Sequence, residues 1–386
     1  MISNSNETII IEEPIPSFLP SNDWQWLAFI WMKRCSAILS ILGSSTVLYM
    51  ILSDRKRKLS QSHNRLITAM SCIDILSSIA HAFATAPLPR EYPFSYGASG
   101  TRGTCNAQGF FAQLSMAAPT YNAMLSIYYV LVVKYQINRK SIARKIEPFM
   151  HAVAILYPLS TAIAGLSIGL FNSNGFTCYI HQYPFNCEGR GIDCTRGNDA
   201  SKYRLYFVGV ELVFIFIVNV ICMIILIAFI QKRERARTKY IFRGSSPSSH
   251  KSEQSKNATR QALLFIGAFV ITYVWGFVSA ANHAAKGSAN FTVLILGGFF
   301  VPLQGFFNFI VYLRPRYNSL RKANSSKSFL WLLKNSVLKR SAEMLQNKIG
   351  DGNGRRCSMN GYELGVTSKT TMKEPAFEHS QKEGSE

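Results

Sequence analysis

The sequence predicts an all-α membrane protein, a seven-transmembrane helix bundle with its amino terminus outside and its carboxyl terminus in the cytosol. Three observations carry this reading. Apolar residues fill 48% of the 386 positions and charged residues only 16%, against roughly 25% charge in soluble domains. Seven stretches approach the roughly 20 apolar residues with which a helix crosses about 30 Å of hydrocarbon while bonding its own backbone. The basic residues, 42 Lys and Arg against 21 acidic residues, gather in alternate connections. That alternation assigns the net charge of +21 to topology and excludes a nucleic-acid-binding patch.

The spans are read at 27–52, 66–87, 107–133, 149–171, 205–230, 261–283 and 291–313. They divide the chain into an extracellular segment 1–26, a transmembrane unit 27–313, a juxtamembrane segment 314–345 and a cytoplasmic tail 346–386. The second span is the weakest, interrupted by Asp74, His81 and several serines; the fifth is the strongest, with Glu211 as its only charge. Positive charge follows the odd connections: Arg55 to Lys58 and Arg65 in the first, Lys134, Arg139, Lys140, Arg144 and Lys145 in the third, and Lys232, Arg233, Arg235, Arg237, Lys239 and Arg243 in the fifth. The first 26 residues hold none, which puts them outside. Lys33 and Arg34, in the outer turns of the first span, are expected to snorkel toward the interface.

Residues 1–20 lack a basic start and a continuous apolar core, so the first span is expected to act as the targeting signal to the plasma membrane. Asn6 opens an external Asn-Glu-Thr glycosylation sequon. Pro119 and Pro302 are expected to kink spans three and seven. The helical pattern of span five runs on through 231–240 as a basic helix, whereas the Ser-rich stretch 244–255 is expected to be disordered. Pro315 is expected to separate the last span from the basic residues 316–322. Trp331, Leu332, Leu333, Val337 and Leu338, set among Lys334, Lys339 and Arg340, predict an amphipathic segment on the anionic inner leaflet. The tail beyond 345 is polar and expected to be disordered.

The eight cysteines sort by span. Cys35, Cys72 and Cys222 fall within spans as small buried residues, and Cys357 lies in the tail. Cys105, Cys178, Cys187 and Cys194 all fall on the oxidising side, an even number that fits two disulfides with three pairings open.

No nucleophile and base, no metal-ligand spacing and no phosphate loop occurs in the sequence, so no enzyme and no cofactor is expected. Span seven lacks the Lys that a retinal Schiff base requires. Function is sought instead in the costly intramembrane ionisable residues. Asp74 is near the midplane, about 12 Å deep at 1.5 Å per residue, and reads as a conformational switch or as a polar network with Asn308, Asn122 or a serine. Glu211, about 10 Å below the outer end of span five, is the anionic wall of a ligand cavity that Gln113, Trp275, Ser279 and His283 would complete.

Seven spans, a Cys heading span three and cysteines in the fourth connection resemble a G-protein-coupled receptor over about residues 25–322. Span three closes on Val132-Val133-Lys134-Tyr135 where rhodopsin-like receptors carry Asp-Arg-Tyr. Cys105-Asn-Ala-Gln-Gly109, and Pro302-Leu-Gln304-Gly-Phe-Phe-Asn308-Phe-Ile-Val-Tyr312, are instead similar to the cAMP-receptor-like and secretin-like class. The Cys178-Tyr179-Ile180 stretch resembles that class's Cys-Trp-Ile. The resemblance implies a Cys105–Cys178 bond, leaving Cys187 for Cys194. Asp74, Asn122, Gln304, Asn308 and Tyr312 are read as a switch or polar core. The resemblance also implies an extracellular ligand and a heterotrimeric G protein as partners, besides the surrounding lipids. Lys134, Arg139, Arg233, Arg235 and Arg237 are the positions expected to meet the G protein. The alternative is a small transporter or channel with Asp74 and Glu211 on its path.

Overall fold

The computed structural model describes residues 19–20, 22–92, 95–185, 187–241, 249–286 and 291–338, with only the backbone of 237–241, 249–256, 280–281 and 283–286. The fold is that of an all-α, multi-pass membrane protein. Its principal helices are α1 (Asp23–Leu52), α2 (Ser62–Ala82), α3 (Arg102–Leu114), α4 (Ala117–Val133), α5 (Glu147–Ser167), α6 (Val210–Ile241), α7 (Ser249–Lys286), α8 (Phe291–Phe300), α9 (Gln304–Ala323) and α10 (Phe329–Val337). Among the described residues, six helical units are long and apolar enough to cross a membrane, counting α3 with α4 and α8 with α9 as one unit each. Helix α2, at 21 residues, has the length but not the apolarity. Large apolar side chains such as Leu42, Phe149, Leu156, Phe214, Ile217 and Ile224 face outward, as they do where lipid rather than water is the surrounding solvent.

The unit formed by α3 and α4 is the hub. It is 83% buried across its apolar window, whereas every other unit is 44% or less. Helix α4 packs against α2, α5, α6 and α7. Tyr121, Leu125, Tyr128 and Tyr129 of α4 meet Val47, Ile51, Ile67, Met70, Leu226 and Phe265 in the largest apolar cluster. The unit bends at Ser115–Met116, just before Pro119, where Ala118 bonds back only three residues to Ser115. Pro302 acts likewise: Val301–Leu303 is one tight 3₁₀ turn between α8 and α9.

A two-stranded antiparallel hairpin, β1 (Phe171–Ser173) and β2 (Cys178–Ile180), covers one end of the bundle. Cys178 is bonded to Cys105 at the head of α3, with Cα atoms 5.2 Å apart, and Cys187 is bonded to Cys194. Gln108 of α3 reinforces the attachment, accepting from the Cys178 amide at 2.9 Å and donating to the Ala84 carbonyl at 2.9 Å. Phe171 lies where any Cβ on Gly109 or Gly165 would strike its ring, so both glycines make room for the hairpin to seat between α3 and α5.

Several expectations are corrected. The fourth span ends at Ser167, and Phe171 belongs to a strand because its backbone pairs with Ile180. Residues 249–255 are helical, forming the first turns of α7, while 244–248 lie outside the described residues. Pro315 does not end the last span: α9 runs through it to Ala323. Cys35 and Cys72 are exposed, and only Cys222 of the three is buried. Lys33 does not snorkel; at 4% exposure it faces the bundle interior, because its position shares a helical face with Ser36, Ser40 and Ser44. Helix α6 does continue through the basic run to Ile241. Asn6, Cys357 and the tail beyond Leu338 lie outside the described residues.

Because the Cys105–Cys178 bond closes a loop of 73 residues and the other bond one of 7, loss of the first is expected to be the more costly. Cys105→Ser with Cys178→Ser should destabilise by about 2–4 kcal/mol, and the Cys187, Cys194 pair by less, in thermal melts of the detergent-purified protein.

Candidate functional site

Beneath the hairpin, three elements converge on Gln113 of α3, which is fully buried. Its Nε2 donates to Thr161 Oγ1 of α5 at 2.9 Å and to the Phe207 carbonyl at 3.4 Å; its Oε1 accepts from the Tyr179 hydroxyl of β2 at 2.9 Å. Phe207 belongs to a π turn, Leu205–Gly209, that leads into α6, a local widening common at functional positions. Two turns along, Thr120 Oγ1 donates to Glu211 Oε1 of α6 at 2.9 Å and to the Met116 carbonyl at 2.9 Å. The second Glu211 oxygen is buried and has no hydrogen-bond partner among the described residues. Glu211 and Tyr179 lie within electrostatic reach of each other, so the two groups form one polar region.

This region takes in only part of the predicted ligand set. Gln113 and Glu211 are in it. Trp275 is not: it stacks on Phe300 of α8 with ring centroids 5.4 Å apart, and its indole N–H is buried without a described partner. Ser279 is half-buried on α7, and His283 is defined by its backbone on the same helix. Thr120 and Thr161 had no signal in the sequence beyond being polar in apolar runs, and Tyr179 stood out only as part of the Cys178-Tyr179-Ile180 stretch.

A second polar region lies between α1, α2 and α9. Asn308 Nδ2 donates to Asp74 Oδ2 at 2.9 Å, both residues being buried. Ser40 Oγ accepts from the Gly305 amide at 3.1 Å. Ser44, Ser71 and both polar atoms of Gln304 are buried without a described partner. Asn122 does not join Asp74; it donates to the Phe265 carbonyl of α7 at 3.2 Å. Ser126, one turn on from Asn122, donates to Asn219 of α6 at 2.7 Å. Tyr312 reaches Asn64 at 3.4 Å, nearer the basic end.

The third region closes that basic end, and the sequence did not disclose it. Arg65 of α2 forms a bidentate ion pair with Glu147 of α5, its Nη2 lying 2.5 Å from Oε2. His151 Nε2 is 3.6 Å from Glu147 Oε1, and His151 Nδ1 is 2.9 Å from the Tyr121 hydroxyl. Tyr121 and Thr120 are adjacent in the chain. One step of α4 therefore joins the Glu211 contact to the Arg65–Glu147 pair. Of the residues expected to meet a partner, Lys134, Arg233 and Arg235 are exposed; Arg139 is half-buried and Arg237 is placed on α6 by its backbone.

On the hairpin face, a shallow depression is lined by Glu91, Arg102, Asn172, Tyr183 and Arg196, among others. Among the described residues no group of three or more His, Cys, Asp or Glu stands ready for a metal ion. A scan against protein-family models and a search of curated proteins both return no match to this chain.

Gln113→Leu removes three hydrogen bonds and takes the acceptor from the buried Tyr179 hydroxyl, while Thr161 keeps its bond to the Pro158 carbonyl, an expected loss of about 1–3 kcal/mol. Gln304→Leu, which removes only unpaired atoms, is expected to leave stability unchanged or raise it. Thermal melts of the two purified variants make the comparison.

Proposed function

We propose that this chain is a plasma-membrane receptor with seven crossing helices, α2 being the seventh, its hairpin end outside and its basic end in the cytosol, which transmits the binding of an extracellular ligand to a heterotrimeric G protein. The observation that carries the reading is the adjacency of Thr120 and Tyr121. Thr120 holds Glu211 in the hairpin-side polar region, and Tyr121 holds His151 and, through it, the Arg65–Glu147 pair at the basic end. A ligand need only bind one rotation of α4 better than another to shift the population at the far end.

Each part has a role in this reading. The unpartnered Glu211 oxygen accepts a donor from the ligand, and Gln113 and Tyr179 tie the hairpin to the helices that move. The Arg65–Glu147 pair holds α2 against α5 in the resting state. Its release would let the basic extension of α6, with Arg233, Arg235 and Arg237, and the neighbouring Lys134 and Arg139, meet the G protein. The resemblance to cAMP-receptor-like and secretin-like receptors supports the same reading, as does the arrangement of positive charge.

The test is guanine-nucleotide exchange on a panel of G proteins, in membranes that carry surface-verified protein. Exchange above background is expected for one member of the panel. Arg233→Ala, Arg235→Ala and Arg237→Ala together should abolish it, and Glu147→Gln, which weakens the resting pair, should raise it severalfold. Silence across the panel in wild type and in Glu147→Gln would contradict the receptor reading.

A further inference from the structure

The buried face of α1 carries a polar stretch, Lys33, Ser36, Ser40 and Ser44, between apolar residues such as Phe29 and Val47. Ser36 donates to its own helix at the Lys33 carbonyl, and Ser40 bonds Gly305. Lys33 has no such resolution. Its side-chain nitrogen makes no hydrogen bond and no ion pair with any described residue; the contact it has is with the Phe29 ring, whose centroid is 5.8 Å away. A ring at that distance is near the limit of cation–π attraction and does not replace a counter-ion. His81 of α2 lies within electrostatic reach, but it is no anion.

The described carboxylates are elsewhere. Asp23 begins α1, ten residues or about 15 Å up the axis. Asp74 is seven residues or about 10 Å from His81 along α2 and is bonded to Asn308. Glu211 is held by Thr120 on another pair of helices. A buried ammonium inside an apolar span is costly and, where it occurs, has a counter-charge.

The immediate surroundings indicate what kind of molecule would bring that charge. One turn above Lys33, Phe29 packs on Phe176 of the hairpin loop, with centroids 4.7 Å apart, and Trp26 meets the same ring at 5.2 Å. A Cβ on Gly298 of α8 would run into the Phe29 ring, so this aromatic group fills the gap between α1 and α8. A cation therefore lies beneath an apolar aromatic lid.

We infer that Lys33 anchors a binding site for an oxyanion, the carboxylate or phosphate of a small molecule. The three ammonium donors are directed by no acceptor among the described residues and suit an oxyanion, and the His81 ring lies within electrostatic reach. The site is built by α1, α2, α8 and the hairpin, apart from the Gln113–Glu211 region, and it stands whether the bundle is a receptor or a transporter. The anion has one competing source in the chain itself, Glu12-Glu13, which lies outside the described residues.

The experiment is a thermal melt of the full-length, delipidated protein in detergent at constant ionic strength, with chloride exchanged for benzoate or for inorganic phosphate. Wild type is expected to gain about 3 °C at a saturating oxyanion. Lys33→Arg should retain the gain, and Lys33→Met and Lys33→Gln should lose it. In chloride alone, Lys33→Met should melt higher than wild type, because the uncompensated charge is gone. An equal gain in Lys33→Met, no gain in wild type, or a lower melt for both neutral variants in chloride would overturn the proposal. A gain seen only after Glu12→Gln and Glu13→Gln would assign the anion to the chain's own acidic segment and overturn it as well.

Discussion

Polar side chains inside this bundle are governed by one constraint: where the surroundings are apolar, a buried donor or acceptor must be satisfied by another part of the protein. That constraint fixes the rotation of each helix about its axis. Gln113 can satisfy its amide only if α5, the π turn before α6 and strand β2 all present their partners to it. Asp74 requires the face of α9 that carries Asn308, and Arg65 requires the start of α5. Apolar packing around α4 supplies the bulk of the contact, but it accepts many rotations. The hydrogen bonds select one.

The same reasoning explains why the third span is the hub. It carries polar residues on several sides, Gln108, Gln113, Thr120, Asn122 and Ser126; Thr120 and Ser126 bond α6 and each of the others a different neighbour. A helix so bonded cannot turn without exchanging partners on every side. Its bend ahead of Pro119 divides it into a part fixed to the hairpin by the Cys105–Cys178 bond and a part that runs to the basic end. Thr120 and Tyr121 lie just past that division.

Much of the fold was legible because length and apolarity are local properties. Six of the seven expected spans, the two proline breaks and the basic continuation of α6 all follow from runs of residues that are contiguous in the chain. The hairpin was not legible: strands as short as Phe171–Ser173 and Cys178–Ile180 look like the end of a span and a loop. Asn308 was one of the partners expected for Asp74, beside Asn122 or a serine, because few polar residues occur at that depth. What could not be read was which side of an apolar helix faces inward. A span flanked by lipid on one side and apolar helices on the other has no strong amphipathic pattern. Hence the sequence pattern points Cys35 and Cys72 inward and Lys33 outward, each the reverse of its place in the structure. For Lys33 the spacing of Ser36, Ser40 and Ser44 held the missing signal. The Arg65–Glu147–His151–Tyr121 chain escaped because each member lies in a different segment and only the fold brings them together.

The central claim is that α4 couples the Glu211 contact to the closed basic end. Its most direct measurement is the distance between spin labels at Lys56 and Lys232, both exposed, with Cys35, Cys72, Cys222 and Cys357 replaced. Thr120→Val, far from either label, should shift the distance distribution toward the longer population that Glu147→Gln produces. A distribution unchanged by Thr120→Val, alongside a clear shift with Glu147→Gln, would show that the two ends are not coupled through α4.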